Sequence, residues 1–240
     1  MRRDHRPASI KRLQAEIENA YTNHFIKPQL EHLGPGAMIM KPWYFKPHGA
    51  QIYLGEAVHI VTARDRTVRL TTWEFGDHAG HIDVQDYTLL CPGVRIDSAS
   101  KVTIGRGTML AASAYVTDAD WHDLYDRTQA VGATHPITLE ENVWVGDSAV
   151  VCKGVTIGEN SIIGTGSVVT RSIPANVIAA GNPAQVIREL DPSRELRTRT
   201  DLLSEHQKLN REMDQLDRML RRDNTFARWL GSIFRPRSGH

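Results

Sequence analysis

The chain has 240 residues, of which 40% are apolar and 24% charged, the composition of an ordinary soluble globular protein with room for one large domain and appendages. A formal net charge of +1 gives no whole-chain reason to expect a nucleic acid partner, and two cysteines, Cys91 and Cys152, exclude a disulfide scaffold. The basic N-terminus is followed by no apolar run, so no signal peptide is expected. No stretch is long and apolar enough to span a bilayer, and the expected compartment is the cytoplasm.

In chain order, Ile10, Leu13, Ile17, Tyr21 and Phe25 recur at 3–4 spacing and predict helix within residues 10–33. The segment KPWYFKPHG, Lys41 to Gly49, is too proline-rich to continue it, so residues 1–50 read as a helical segment and a lead-in. A six-residue repeat follows. It begins weakly at Leu54-Gly55 and Ile60, then shows Val84, Leu90 and Ile96. After a two-residue insertion near Ala99 to Lys101 it shows Ile104, Leu110 and Val116. From Leu139 it runs without a slip through Val145, Val151, Ile157, Ile163 and Val169. Small residues follow most of these aliphatics: Cys91, Gly105, Ala111, Gly146, Cys152, Gly158 and Gly164. Neither a helix of period 3.6 nor one uninterrupted strand of period 2 fits that pattern. Short strands separated by tight turns do, each aliphatic pointing inward and stacking on its counterpart one coil away. The expected fold is an all-β solenoid, a parallel β-helix over residues 51–190. Cys91 and Cys152 are then small residues at turns rather than nucleophiles or metal ligands.

The repeat breaks after Val116 and resumes near Ile137. The interruption, residues 117–136, reads TDADWHDLYDRTQAVGATHP, and so long a loop inside a regular solenoid points to function. It holds His122 among Asp118, Asp120, Asp123 and Asp126, and a second histidine, His135. Beyond Asp191-Pro192, residues 191–240 read as a C-terminal helical arm. Leu202, His206, Leu209, Met213, Leu216 and Leu220 recur at 4–3–4–3–4 spacing, a coiled-coil-like seam that either trimerises or lies on the solenoid. The end of the arm, residues 225–237, puts Phe226, Trp229, Leu230, Ile233 and Phe234 beside Arg228, Arg235 and Arg237. That pattern suits either peripheral contact with the inner membrane face or docking on the protein itself.

The stretch PITLEENVWVGDSAVVCKGVTIGENSIIGTGSVVTRSIPANVIAAGNPAQVIR, Pro136 to Arg188, resembles the hexapeptide-repeat acyltransferases. Its pattern is nearest the sugar O-acetyltransferases of the galactoside and maltose type, over roughly residues 52–190. The resemblance implies a left-handed winding with three hexads per triangular coil. It also implies a homotrimer with active sites between subunits, acetyl-CoA held in the groove between two β-helices, and a loop histidine as general base. The implied reaction moves an acetyl group from acetyl-CoA to a hydroxyl of a sugar or glycan. A base must take the hydroxyl proton as the oxygen attacks the thioester, and imidazole suits that task.

The resemblance puts His122 in the place of the base, with Asp118 or Asp120 to orient its ring. The dipeptide His135-Pro136 superficially matches the family's His-Pro motif but sits where the repeat restarts. In the coil before the loop the family often has an asparagine near the acceptor. Here the stretch is CPGVRID, leaving Asp97 and Arg95 as acceptor contacts. Carried over by position, Trp144 stands beside the pantetheine arm, Thr165 faces it through its backbone, and Thr170 and Arg171 lie near the nucleotide. Ala180 and Gly181 allow close approach, and Arg188 reaches a phosphate. No metal is expected: the carbonic anhydrases on this scaffold need a His-x4-His pair, absent from the loop. Two other readings remain open, N-acetylation of an amino sugar by the same base and a non-catalytic β-helix scaffold that binds no acetyl-CoA.

Overall fold

The computed structural model describes residues 4–234 and divides them into two compact units: residues 21–204, and residues 4–20 with 205–234. The larger unit is a parallel β-helix of three sheets. The first sheet holds Ile52–Leu54, Ile82–Val84, Val102–Ile104, Ile137–Leu139 and Thr156–Ile157. The second holds His59–Val61, Leu89–Leu90, Met109–Leu110, Trp144–Val145, Ile162–Ile163 and the closing antiparallel pair Val177–Gly181 and Ala184–Glu189. The third holds Phe45–His48, Val68–Thr72, Arg95–Ser98, Tyr115–Thr117, Val150–Val151 and Val168–Val169.

The aliphatics that recur in sequence form the core. Leu90, Ile96, Ile104, Leu110, Val116, Leu139, Val145, Val151, Ile157, Ile163 and Val169 are all completely buried. In the unbroken part, Thr138 faces Thr156, Trp144 faces Ile162 and Val150 faces Val168, a register of eighteen residues, or three hexads per coil. The turns have their own chemistry. Asn142, Asn160 and Asn176 sit one above another in the left-handed region, with φ of 57°, 61° and 59°. Their amides form a ladder, Asn142 Nδ2 donating to Asn160 Oδ1 at 3.0 Å and Asn160 Nδ2 to Asn176 Oδ1 at 2.9 Å. At Gly146 an added Cβ would lie 2.7 Å from the Thr165 nitrogen of the next coil, so only glycine fits there.

The solenoid starts earlier than residue 51. Strands His32–Leu33, Met38–Met40 and Phe45–His48 already pair with the coil above, one in each sheet. The proline-rich lead-in is thus part of the first coil, with Pro47 an inward residue facing Leu70. A second difference is a hairpin, Glu74–Phe75 against His78–Ala79, turned at Gly76-Asp77. The two longest departures from the regular coil leave at one edge of the prism, where the third sheet passes to the first. The hairpin lies there, between Thr72 and Ile82, and the long loop lies there, between Thr117 and Ile137.

Helix α1 spans Ala8–Tyr21, and one wider turn (Thr22–Ile26) and one tighter turn (Lys27–Gln29) lead to the first strand. The C-terminal arm is three helices, α2 (Arg199–Leu203), α3 (His206–Leu220) and α4 (Phe226–Phe234). This breaks the expected seam. Leu202 belongs to α2, whose Arg199 Nε donates to the Tyr87 carbonyl at 2.8 Å and so ties that turn to the solenoid. Met213, Leu216 and Leu220 on α3 are exposed. In the smaller unit the ties are ionic: Lys11 pairs with Asp217 at 2.8 Å, and Arg221 pairs with both Asp217 and Asp4. On α4, Phe226, Ile233 and Phe234 are exposed, while Arg235 and Arg237 lie outside the described residues. Among the described residues no helix is long and apolar enough to cross a membrane.

Candidate active site

The long loop is closed at its base like a hairpin. The His135 nitrogen donates to the Asp118 carbonyl at 2.9 Å, the Asp120 nitrogen to the Ala133 carbonyl at 2.9 Å, and the Gly132 nitrogen to the Asp120 carbonyl at 2.8 Å. His122 stands just above this neck. Gly132 passes so close beneath it that an added Cβ would lie 2.5 Å from the His122 carbonyl oxygen. The imidazole is exposed, and its Nδ1 lies 3.2 Å from the Gln129 carbonyl oxygen. A carbonyl only accepts, so Nδ1 carries the hydrogen and Nε2 presents a free lone pair. That is the tautomer a general base needs.

Neither expected carboxylate orients the ring. Asp118 is completely buried, and its oxygens accept from Ser98 Oγ at 2.6 Å, the Ala99 nitrogen at 2.8 Å and the Ser100 nitrogen at 3.0 Å. It therefore fixes the turn of the neighbouring coil under the loop. Asp120 pairs with Lys153 Nζ at 2.6 Å, tying the loop to the coil on its other side. The correction is physical: proximity in sequence did not reveal that both adjacent coils offer these acids stronger donors. The main-chain carbonyl of Gln129 takes the orienting place. Asp123 and Asp126 hold turns inside the loop, their carboxyls lowered chiefly by main-chain donors (Asp123) and by the Thr128 hydroxyl (Asp126). His135 is exposed, and its main chain stitches the loop end to Asp118 and Gly154.

Aromatic rings surround the loop base. Trp121 Nε1 donates to Thr117 Oγ1 at 3.1 Å, and its ring lies 5.9 Å from Trp73 at the root of the hairpin. Trp73 in turn lies 6.4 Å from the His48 ring. A cavity of about 300 Å³ opens beside them, lined by His48, Thr72, Trp73, Glu74, Phe75 and Gly80 among others. The sequence reading missed this hairpin. Its signal was the alternation WEFGDHAG around Gly-Asp, a two-residue turn. Arg95 and Asp97 do meet. The guanidinium forms an ion pair with the buried Asp97 carboxylate and lies 4.8 Å from the centre of the Tyr115 ring. Burial is the main force raising the Tyr115 hydroxyl pKa.

The residues assigned to acetyl-CoA fall into two groups. Trp144, Ile162, Ile178 and Arg188 face one another in one row across the second sheet, with Arg188 at its end and Trp144 three strands away. Thr165 sits at the turn just past that row, and Ala180 and Gly181 are the last residues of the strand Val177–Gly181. Thr170 and Arg171 follow Val168–Val169 at the loop-bearing edge instead. Within one chain the structure does not bring His122 and the Trp144 row to one edge. The free thiols of Cys91 and Cys152 are both raised in pKa chiefly by burial, as suits small residues at turns. Among the described residues no group of three His, Cys, Asp or Glu side chains is arranged to hold a metal ion.

A three-sheet solenoid of hexads with a histidine-bearing loop defines the hexapeptide-repeat transferases. The family model described as bacterial transferase hexapeptide (six repeats) matches residues 136–171. The chain is 33% identical over 168 residues to the galactoside O-acetyltransferase of Escherichia coli (strain K12), covering 69% of this chain and 67% of that enzyme. It is 29% identical over 170 residues to the galactoside O-acetyltransferase of Lactococcus lactis, covering 70% and 67%. The chain belongs to the hexapeptide-repeat acetyltransferase family, and its solenoid is the left-handed parallel β-helix. The fold also matches AntD, an N-acyltransferase from Bacillus cereus solved with dTDP and 3-hydroxybutyryl-CoA. That likeness has a TM-score of 0.54 at 15% identity over 80% of this chain and 96% of that one, and it speaks to fold alone.

Proposed function

We propose that the protein transfers an acetyl group from acetyl-CoA to a hydroxyl of a sugar or glycan, with His122 as the general base. The observation that supports this best is the imidazole itself. Its Nδ1 hydrogen is engaged by the Gln129 carbonyl, and the residue is exposed on a loop whose base is held from both adjacent coils. Nε2 takes the acceptor proton as the oxygen attacks the thioester carbonyl. It returns that proton to the departing thiolate, so the histidine ends as it began. The Gln129 carbonyl stabilises the intermediate imidazolium through the Nδ1–H bond.

The donor's residues fit the same reading. Trp144 offers an exposed ring, and Arg171 and Arg188 are exposed cations suited to phosphates. The His122 loop and the Trp144 row lie on different edges of one prism. We therefore infer a homotrimer, in which the loop of one copy reaches the row of the next. The galactoside O-acetyltransferases support a sugar acceptor by their names alone. The test is thiol release from acetyl-CoA with a panel of sugars, for wild type and His122→Ala. The variant is expected to lose about 10²–10⁴-fold in rate while keeping its melting temperature. Full rate in His122→Ala would remove the histidine from the chemistry, and no acetyl-CoA binding by wild type would favour a scaffold.

A further inference from the structure

The outer face of the third sheet carries a charge pattern that the fold does not need. Lys46 faces Arg69 and Arg69 faces Arg95 across successive parallel strands, about 4.8 Å apart. All three are exposed, each between two inward residues. Like charges directly opposite one another on a sheet repel and destabilise it. The row beside them reads His48, Thr71, Asp97 and Thr117, so one acid faces three cations, and it is already paired with Arg95. Among the described residues neither Lys46 nor Arg69 has an ion pair. The corresponding row of the first sheet, His32, Tyr53, Asp83, Thr103, Thr138 and Thr156, holds no lysine or arginine.

The ladder also leads somewhere. Arg95 lies against Tyr115, the next member of the same row, and Thr117, two residues on, accepts from Trp121, the neighbour of His122. The track of cations therefore ends beside the strand Tyr115–Thr117, which leads into the His122 loop.

We propose that this ladder is the acceptor-binding face and that the acceptor is an oligosaccharide carrying carboxylates along its length, a uronate-containing glycan. The inference rests on the reading of the protein as a sugar acetyltransferase and adds Lys46 and Arg69 to its specificity. Evenly spaced single cations on long side chains match a chain of repeated single charges. A compact phosphate is better held by converging backbone N–H groups, which this flat face does not offer. Arg95, held by Asp97 and the Tyr115 ring, is the rigid end of the track nearest the chemistry. Lys46 and Arg69 are its adaptable end.

The experiment is calorimetric titration of full-length protein with a galacturonic acid trimer, its fully methyl-esterified form and glucose 1-phosphate, in wild type, His122→Ala and the double variant Lys46→Ala/Arg69→Ala. The free trimer is expected to bind wild type and His122→Ala alike, and at least tenfold more tightly than its neutral ester. The double variant is expected to lose roughly tenfold for the free trimer and nothing for the ester, and Lys46→Arg/Arg69→Lys is expected to restore it. Equal binding of trimer and ester, tighter binding of the sugar phosphate, or an unaltered double variant with a wild-type melting curve would each overturn the proposal. Binding by the His122→Ala variant separates this claim from the catalytic one, because it survives if the base is misassigned.

Discussion

The coils from Ile137 to Gly181 and the edge that carries the hairpin and the long loop are made from the same repeat but follow different rules. In the coils the hexad positions from Leu139 to Val169 are aliphatics with no exposure, the register from Thr138 to Val169 is eighteen residues, and the asparagine ladder repeats turn by turn. At the edge, chain has been inserted twice, and the inserted segments bring the tryptophans, His122 and the buried Asp118 together. The regular coils get stability from repetition, since each coil buries its neighbour. The edge gives up repetition and holds its shape with a few directed hydrogen bonds and one ion pair. Chemistry is therefore expected where the pattern fails, and stability where it holds.

Substitutions can break that division. Leu139→Ala removes a fully buried side chain from the regular coils, and a loss of about 2–5 kcal/mol in chemical denaturation is expected, with the rate per folded molecule unchanged. Asp118→Ala is the exception at the edge. It strands the Ala99 and Ser100 main-chain N–H groups, while Ser98 Oγ keeps the His81 carbonyl, so roughly 3 kcal/mol of stability should go. The rate should fall with it, because the loop loses its floor. Gly132→Ala sharpens the comparison. Its Cβ presses on the His122 carbonyl, and a displacement near 1 Å at a base can cost up to about 10²-fold in rate, while the melting curve moves little.

The smallest effect is a pH dependence in the second sheet. Burial, and then the Arg199 charge, hold the His59 imidazole below its ordinary pKa. The folded state thus binds the proton less readily than the unfolded state does. The stability due to neutral His59 is present above the unfolded pKa near 6.5 and declines as the pH falls below it. His59→Gln is expected to flatten the stability profile below pH 6.5, read from thermal melts at matched ionic strength.

Much of this was legible in the sequence. The hexads named the inward residues from Val84 to Val169, and the break in them located the loop. The first coil was hidden because only Leu33-Gly34 carries the aliphatic-then-small pair, while Ile39-Met40 and Pro47-His48 lack it. The hairpin was hidden because alternation over two short strands looks like any irregular stretch inside a solenoid. The orienter of His122 could not be read at all. The loop offers four nearby acids, but which donors they meet depends on coils twenty residues before and thirty after. The seam of the C-terminal arm was real in spacing yet was cut at Ser204-Glu205, where one part stays with the solenoid and the rest belongs to the other unit.

The account stands on the separation of a donor groove in the coils from a base in the loop. Titration of acetyl-CoA into His122→Ala, alongside its turnover with a sugar acceptor, tests this directly. The predicted result is a Kd within about twofold of wild type together with a rate lower by 10²-fold or more. Retained turnover, or loss of acetyl-CoA binding in a variant that melts like wild type, would contradict it.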